Sequence, residues 1–310
     1  MKVVISEFMD GAAVQSLAGS FEVVYDAELM NRRTELQSLL ADADALIVRN
    51  RTQVDRALLD AAPALQVVGR LGVGLDNIDV ETCEKRNIAV IPATGANADA
   101  VAEYVIGTAM ALLRGAYTRS AETANGTWPR AALSNGREIS GKTLGLIGFG
   151  GIGQLTARLA QGLGLTVIAH DPMISNDARI WQETGVASKS LNVLLAQADI
   201  VSLHVPLTEQ TRNLINGKTL AMMKPDAVLI NSARGSIVDE TALADALKSG
   251  RLAGAAIDVF DQEPLKAGTP LADAPNVILT PHIAGVTLES NVRVSALIAE
   301  RVASQLRLKK

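Results

Sequence analysis

The stretch from Lys142 to Pro172, KTLGLIGFGGIGQLTARLAQGLGLTVIAHDP, limits the possible folds more than any other part of this chain. Thr143 to Ile147 is a short apolar run of strand type. It opens into Gly148-Phe149-Gly150-Gly151-Ile152-Gly153, with glycines at G-x-G-x-x-G spacing. Apolar residues at Ile152, Leu155, Leu159 and Leu163 then recur at helical spacing. A second strand-like run, Leu165 to Ala169, leads to Asp171. Strand, glycine turn, helix, strand and acid in this order form a complete dinucleotide-binding unit rather than an isolated motif.

Each part has a mechanical reason. Gly148 permits the tight turn out of the strand. Gly150 lets a pyrophosphate approach the N–H groups of a helix N-terminus, where the helix dipole favours an anion. Gly153 lets helix and strand pack closely. Asp171 lies eighteen residues beyond Gly153, where a carboxylate can accept both hydroxyls of an adenosine ribose. The residues after it, Pro172-Met173-Ile174, offer no arginine for a 2′-phosphate, so NAD is expected rather than NADP. A phosphate-cradling Walker loop is excluded because no Lys-Ser/Thr pair follows the glycines. A bare glycine motif would fit a flexible turn equally well; the flanking strands, helix and acid make this one specific.

The 310 residues suffice for one large or two ordinary domains. The net charge of −4 is interspersed, so neither nucleic acid nor a membrane surface is expected as a partner. The N-terminus, MKVVISEFMD, meets Glu7 too early for a signal peptide, and the longest apolar run, Tyr104 to Leu113, is too short to cross a bilayer. One cysteine, Cys83, rules out an internal disulfide framework and suits a reducing cytoplasm. His170, His204 and His282 are far apart in sequence, which argues against a zinc site.

Residues 1–91 alternate strand-like runs (Val3–Ser6, Phe21–Tyr25, Ala45–Val48, Gln66–Gly69, Ile88–Ile91) with helical patterns (Ala12–Ala18, Thr34–Leu40, Val54–Ala61). Such alternation predicts a parallel sheet covered on both faces. A hinge is expected near Pro92–Asn97, followed by a helix to about Arg119 and a stretch, Asn125 to Ser140, without periodicity. That stretch carries Trp128 and reads either as a surface loop or as an arm packing on a second subunit. Further strands at Ile200–Leu203, Ala227–Ile230, Leu252–Ile257 and Asn276–Leu279 complete an expected six-stranded sheet. The last helix, Leu288 to Leu306, with Val292, Ser295, Ala299, Val302 and Leu306 on one face, is expected to return to the first domain. The prediction is an α/β chain of two doubly wound parallel-sheet domains with a cleft between them. A Rossmann cofactor domain spans residues 98–283, and a smaller flavodoxin-like substrate domain spans 1–97 plus 284–310.

Three residues fall where loops should leave strand ends, the place where α/β sheets bind ligands. Arg234 lies in NSARGSIVDE, Glu263 in DVFDQEP and His282 in TPHIAG. A cation to grip a carboxylate, a histidine to carry a proton and an acid to hold the histidine are what hydride exchange with a 2-keto acid requires. Spacing alone leaves each of them open as a structural polar residue.

With these residues the sequence resembles the D-2-hydroxyacid dehydrogenase family, and within it the 3-phosphoglycerate dehydrogenase-like branch. GRLGVGLDNID (69–79), the glycine unit, HVPLTEQTRNLIN (204–216), NSARGSIVDETAL (231–243), AGAAIDVFDQEP (253–264) and TPHIAG (280–285) match family blocks in order along essentially the whole chain. The resemblance implies that Arg234, Glu263 and His282 are the catalytic Arg, Glu and His, with His282 protonating the keto oxygen. It implies that Asp258 binds the nicotinamide amide. Ile152, His204, Val205, Pro206, Thr211, Ser232, Ala233 and Gly285 would line the NAD site together with Arg234 and His282. It further implies that Val73 and Gly74 hold the substrate carboxylate through their amides, while Arg49, Asn50 and Arg51 lie on the loop that reads a distal phosphate. A homodimer is implied as well.

The sequence departs from the family pattern in places. Asn50 stands where phosphoglycerate dehydrogenases usually have Ser, Gly151 replaces a common Arg, and IAGVT follows His282 in place of a GAST-like run. The sequence ends at Lys310, without the C-terminal regulatory domain of many serine-pathway members. The expected substrate is a small D-configured 2-hydroxy acid, either one with an anionic or polar C3 group (3-phosphoglycerate, 3-sulfolactate or glycerate/hydroxypyruvate) or the pair of the two-carbon keto acid glyoxylate. A sulfonate is a tetrahedral anion suited to the same arginines, and the (S) label of sulfolactate, set by sulfur priority, describes a D-like hydroxyl. One of Arg49 and Arg51 could instead pair with a surface carboxylate, Asp55 being close in sequence. A different class of function, an NAD(H)-sensing binding protein like the dehydrogenase-like corepressors, also fits the glycine unit.

Overall fold

A computed structural model describes residues 1–308. The chain forms two compact units, Met1–Asn97 with Val286–Lys310, and Ala98–Gly285. In the first unit β1 (Lys2–Ile5), α1 (Gly11–Ala18), β2 (Glu22–Tyr25), α2 (Arg33–Leu40), β3 (Ala45–Val48), α3 (Arg56–Asp60), β4 (Val67–Arg70), α4 (Val80–Lys85) and β5 (Ala89–Pro92) follow one another. The five strands are parallel, in the order β2-β1-β3-β4-β5, the flavodoxin-like arrangement. Successive residues of a strand face opposite sides. Val3, Ile5, Ala45 and Ile47 therefore pack with one layer of helices, and Val4, Leu46 and Val48 with the other. Asp10, Asp55 and Asp79 start α1, α3 and α4 by accepting the N–H of Ala12, Leu58 and Thr82.

In the second unit α5 (Ala98–Arg114), α6 (Ser120–Ala124), β6 (Thr143–Ile147), α7 (Gly151–Gly162), β7 (Thr166–His170), α8 (Arg179–Thr184), β8 (Ala187–Ser188), α9 (Leu191–Gln197), β9 (Ile200–Leu203), α10 (Gly217–Leu220), β10 (Val228–Asn231), α11 (Glu240–Lys248), β11 (Gly254–Ile257) and β12 (Val277–Leu279) build a parallel sheet. Its order is β12-β11-β10-β9-β6-β7-β8. The chain starts in the middle at β6, runs outward to β8, then returns to β9 on the other side of β6. That reversal puts the topological switch point, the usual ligand position of such sheets, at the carboxyl ends of β6 and β9. The last helix, α12 (Leu288–Leu308), belongs to the first unit, where Val294, Ile298, Val302 and Leu306 pack with Val3, Ile47 and Val67.

Several sequence expectations are corrected. The helix expected to reach Arg119 ends at Arg114, because Gly115 takes a left-handed φ of 61° and its N–H closes on Ala111 O. The large sheet has seven strands rather than six, since two-residue β8 pairs with β7. Of the expected face of α12, Ser295, Ala299, Val302 and Leu306 are buried together with Val294 and Ile298, while Val292 is 51% exposed. Helix α3 starts only at Arg56, because Val54 bridges Ile78 in an extended conformation.

Candidate active site

At the switch point Gly148 has φ 96°, and a Cβ there would lie 2.5 Å from the His204 carbonyl oxygen. A Cβ on Gly153 would sit 2.6 Å from the Gly148 carbonyl oxygen, so α7 can approach β6 this closely only with glycine. Gly150 caps α7 with no side-chain acceptor, and the space around where Gly150 and Gly151 would carry a Cβ is open. The helix N-terminus thus faces open space with orphan donors that suit an anion. Ile152 lies in its first turn. Asp171, just past β7, accepts the Phe149 N–H with Oδ2 (2.8 Å) and the Met173 N–H with Oδ1 (2.9 Å). The carboxylate is thereby fixed against the glycine turn, with lone pairs left for two hydroxyls. Phe149, fully buried, stacks on Trp181 with centroids 4.9 Å apart.

Past β9, His204 Nε2 meets Ser202 Oγ at 3.0 Å, and burial pushes the imidazole down to about 4, so it is neutral. Val205 and Pro206 follow in a loop closed by Thr211, whose hydroxyl donates to Pro206 O (2.6 Å) and accepts from Thr208 N (2.7 Å). At the end of β10, the fully buried Asn231 donates to Arg234 O (2.8 Å) and accepts from Ala233 N (3.1 Å), clamping the Ser232–Arg234 turn. Nothing in the sequence singled Asn231 out. Within that turn the buried Ser232 Oγ has no hydrogen-bond partner among the described residues. An open helix N-terminus, a placed carboxylate and an orphaned hydroxyl along one edge of the sheet fit a dinucleotide.

The proton-transfer candidates come together at the ends of β10, β11 and β12. His282 Nδ1 is 2.7 Å from Glu263 Oε2. A carboxylate only accepts, so Nδ1 carries the hydrogen and Nε2 is left for another partner. Glu263 also accepts the Phe260 N–H (3.1 Å). Desolvation works to raise the Glu263 carboxyl, but the hydrogen bond and charge of His282, the Phe260 N–H and the Arg234 charge outweigh it and hold the group below the usual carboxylate range. Arg234 anchors its own guanidinium on Ala233 O at 2.5 Å.

Asp258 is placed differently from a group exposed to a ligand. It is 1% exposed, and its oxygens accept from Thr280 Oγ1 (2.6 Å), Ile283 N (2.8 Å) and Ala284 N (2.8 Å). Its carboxylate therefore anchors the loop that carries His282 and ends at Gly285.

In the first unit, the loop after β3 is organised by a residue that sequence reading passed over. Glu7, 3% exposed, accepts the backbone N–H groups of Arg49 (2.8 Å), Asn50 (3.3 Å), Arg51 (3.1 Å) and Thr52 (2.9 Å). Its partners lie more than forty residues away in sequence, and no local pattern announces them. Arg49 donates to Asn291 Oδ1 (2.9 Å) and Arg51 to Asn31 Oδ1 (3.0 Å), both neutral acceptors. Asp55 is paired with Arg33, so the alternative partner for Arg51 is taken. Asn50 is exposed. Val73 is exposed and Gly74 partly so, in the loop after β4. Among the described residues, no group of three or more His, Cys, Asp and Glu could hold a metal ion, and no helix is long and apolar enough to cross a membrane.

Residues 106–284 match the family model described as D-isomer specific 2-hydroxyacid dehydrogenase, NAD binding domain. The chain is 54% identical over 304 residues to the (S)-sulfolactate dehydrogenase of Chromohalobacter salexigens, covering 98% of each. It is 38% identical over 308 residues to the D-3-phosphoglycerate dehydrogenase of Methanocaldococcus jannaschii, covering 99% of this chain but 58% of that protein. Among solved structures, the TT0316 protein from Thermus thermophilus superposes with a TM-score of 0.90 at 34% identity, over 99% of this chain and 97% of that one.

Proposed function

Since the chain belongs to the D-isomer specific 2-hydroxyacid dehydrogenase family, with NAD as cofactor, we propose that it interconverts 3-sulfolactate and 3-sulfopyruvate. The observation that carries this reading is the loop after β3. Arg51 is exposed and makes no ion pair among the described residues, since Arg33 holds Asp55. Arg49 and Arg51 against the buried Glu7 leave a formal charge of +1 (two cations, one anion) at the loop. A sulfonate carries one negative charge, whereas a phosphate monoester carries about −1.5 to −2 at pH 7. The balance favours the monoanion. Similarity to a sulfolactate dehydrogenase points the same way.

In this reading Arg49, Asn50 and Arg51 bind the C3 anion, while Arg234 and the amides of Val73 and Gly74 bind the carboxylate. NAD supplies the hydride acceptor and donor. Gly148, Gly150, Gly151, Ile152 and Gly153 receive its pyrophosphate and Asp171 its ribose. His204, Val205, Pro206, Thr211, Ser232, Ala233 and Gly285 line the remainder. His282 donates a proton from Nε2 to the keto oxygen in reduction and takes it back in oxidation, and Glu263 keeps Nδ1 protonated and the ring oriented. Asp258 serves this site by holding the loop on which His282 sits, a role its three accepted hydrogen bonds favour over direct contact with a nicotinamide amide.

Self-association belongs to the same reading. Tyr117 and Trp128, 72% and 77% exposed, stand on either side of α6, and a homodimer would cover them. A cytoplasmic location accords with the lone buried Cys83. The test is a panel of 3-sulfopyruvate, the keto acid of 3-phosphoglycerate, hydroxypyruvate and glyoxylate with NADH, followed by nicotinamide absorbance. The highest kcat/KM is expected with 3-sulfopyruvate. A preference for any of the other three moves the substrate assignment, and no turnover on the whole panel returns the nucleotide-sensing alternative.

A further inference from the structure

His282 sits in a backbone conformation that L residues seldom adopt, with φ 57°. A cluster of hydrogen bonds holds it there. Its own N–H donates to Asp258 O at 2.8 Å. The N–H groups of the next two residues, Ile283 and Ala284, donate to opposite oxygens of the Asp258 carboxylate. On the other flank Thr280 donates its hydroxyl proton to Asp258 Oδ1 at 2.6 Å.

That last bond fixes a direction further out. A carboxylate cannot donate, so the single hydroxyl proton of Thr280 is committed to Asp258. The Tyr104 hydroxyl on α5, 2.7 Å from Thr280 Oγ1, must then be the donor of its contact. Burial, with a smaller contribution from the Asp258 charge, pushes the Tyr104 phenol up to about 12, so it keeps its proton at any working pH. A one-way line, Tyr104 to Thr280 to Asp258, thus ends beneath both flanks of His282.

We propose that Tyr104 and Thr280, acting through Asp258, are positioning residues that aim the His282 imidazole and keep it on Glu263. The proposal rests on the reading of His282 as the proton donor. The charged groups around that imidazole are Glu263 on Nδ1, Asp258 under the main chain, and Arg234 acting on Glu263. Without the line, the loop can relax from its left-handed turn and the imidazole turns away from Glu263. The expected signature is a loss in kcat with a displaced pH profile, while NADH affinity is kept.

The test compares Tyr104→Phe, Thr280→Val and Thr280→Ser in the full chain with NADH and 3-sulfopyruvate, or the best keto acid of the panel. Tyr104→Phe and Thr280→Val are expected to lower kcat for reduction roughly three- to thirtyfold, the scale of a small misplacement of a reacting group. They should also move the basic limb of the kcat profile to lower pH and leave the NADH Kd, read by fluorescence, within about twofold. Thr280→Ser, which keeps the hydroxyl, should restore both kcat and profile. Wild-type kcat in Tyr104→Phe overturns the proposal, as does a kcat loss with an unmoved pH profile or a loss confined to NADH affinity. Should Thr280→Val fail to fold, Tyr104→Phe decides alone, since it keeps the ring and removes one oxygen. His282→Gln separates the two levels. Turnover retained there removes the proton-donor reading itself, whereas an inactive His282→Gln beside a normal Tyr104→Phe removes only the positioning role.

Discussion

Glu263 Oε2 lies 2.7 Å from His282 Nδ1, and the carboxyl group is held below its ordinary range by that contact despite partial burial. A carboxyl whose native pKa is depressed stabilises the fold above its unfolded value, and that contribution disappears as pH falls through the native value. The pair is therefore expected to persist through neutral pH and to break on the acid side. Reduction needs a proton on His282, so its rate should fall toward high pH while oxidation rises. Glu263→Gln removes the countercharge and should shift the reduction limb to lower pH. Profiles of kcat/KM in both directions check this; superimposable profiles for wild type and Glu263→Gln would contradict it.

The loop after β3 gives a substrate-dependent prediction. Arg51→Ala should reduce kcat/KM for 3-sulfopyruvate roughly ten- to a hundredfold, the worth of one charge-assisted contact, while barely changing glyoxylate, which has no C3. Equal losses on both acids would assign Arg51 to the fold. Glu7→Gln should act more broadly. One amide oxygen can serve two of the four N–H groups, and the amide NH2 would face the other two. Leaving two donors unpaired should cost about 2–4 kcal/mol in urea unfolding, and KM for the C3-anionic acid should rise. A stability within experimental error of wild type would mean that the loop holds itself.

Where the sequence was legible, short-range spacing carried the information. The glycines, the following helix and Asp171 stand within one βαβ unit, so their order alone placed β6, α7 and β7. Arg234, Glu263 and His282 were found as strand-end residues, because strand ends are where a parallel sheet exposes side chains to a ligand. Other features depend on distant partners. Glu7 looks like any early acidic residue until residues 49–52 close over it. Tyr104 sits in an apolar helical pattern, and its hydroxyl acquires meaning only against Thr280. The Arg33–Asp55 pair spans twenty-two residues, which sequence proximity could not favour over Arg51. In α12 the helical period admits two neighbouring faces, and packing on the first sheet selects Val294 and Ile298 over Val292.

His204 makes the fold acid-sensitive. Burial lowers its pKa from 6.5 to about 4, so between these values the unfolded chain binds a proton that the native protein refuses. Stability is then lost as pH falls from about 6.5 toward 4, by up to about 3 kcal/mol. Urea unfolding at pH 7 and pH 5 should show the loss, and His204→Gln should abolish the part that belongs to this residue. An identical slope in the variant would assign the acid sensitivity to other groups.

Asp171 joins cofactor choice to the geometry of the glycine turn. A 2′-phosphate would be placed against its carboxylate with no arginine following in Pro172-Met173-Ile174 to offset the repulsion. NADH should be preferred over NADPH by at least about tenfold in kcat/KM, roughly 1.4 kcal/mol. Removing the charge would ordinarily be expected to relax this preference, yet here the same carboxylate accepts the N–H groups of Phe149 and Met173, one on each oxygen. Asp171→Asn can satisfy only one of them and turns an NH2 group toward the other. The variant should therefore lose kcat/KM with NADH, because the turn that receives the pyrophosphate is disturbed, while gaining little with NADPH. Pairing Asp171→Asn with Met173→Arg supplies a cation for the 2′-phosphate and should raise NADPH turnover above that of the single variant. Measuring kcat/KM for both cofactors in the three proteins decides the matter. A single variant that uses NADPH as well as the wild type uses NADH would show that Asp171 governs charge alone and has no part in shaping the turn.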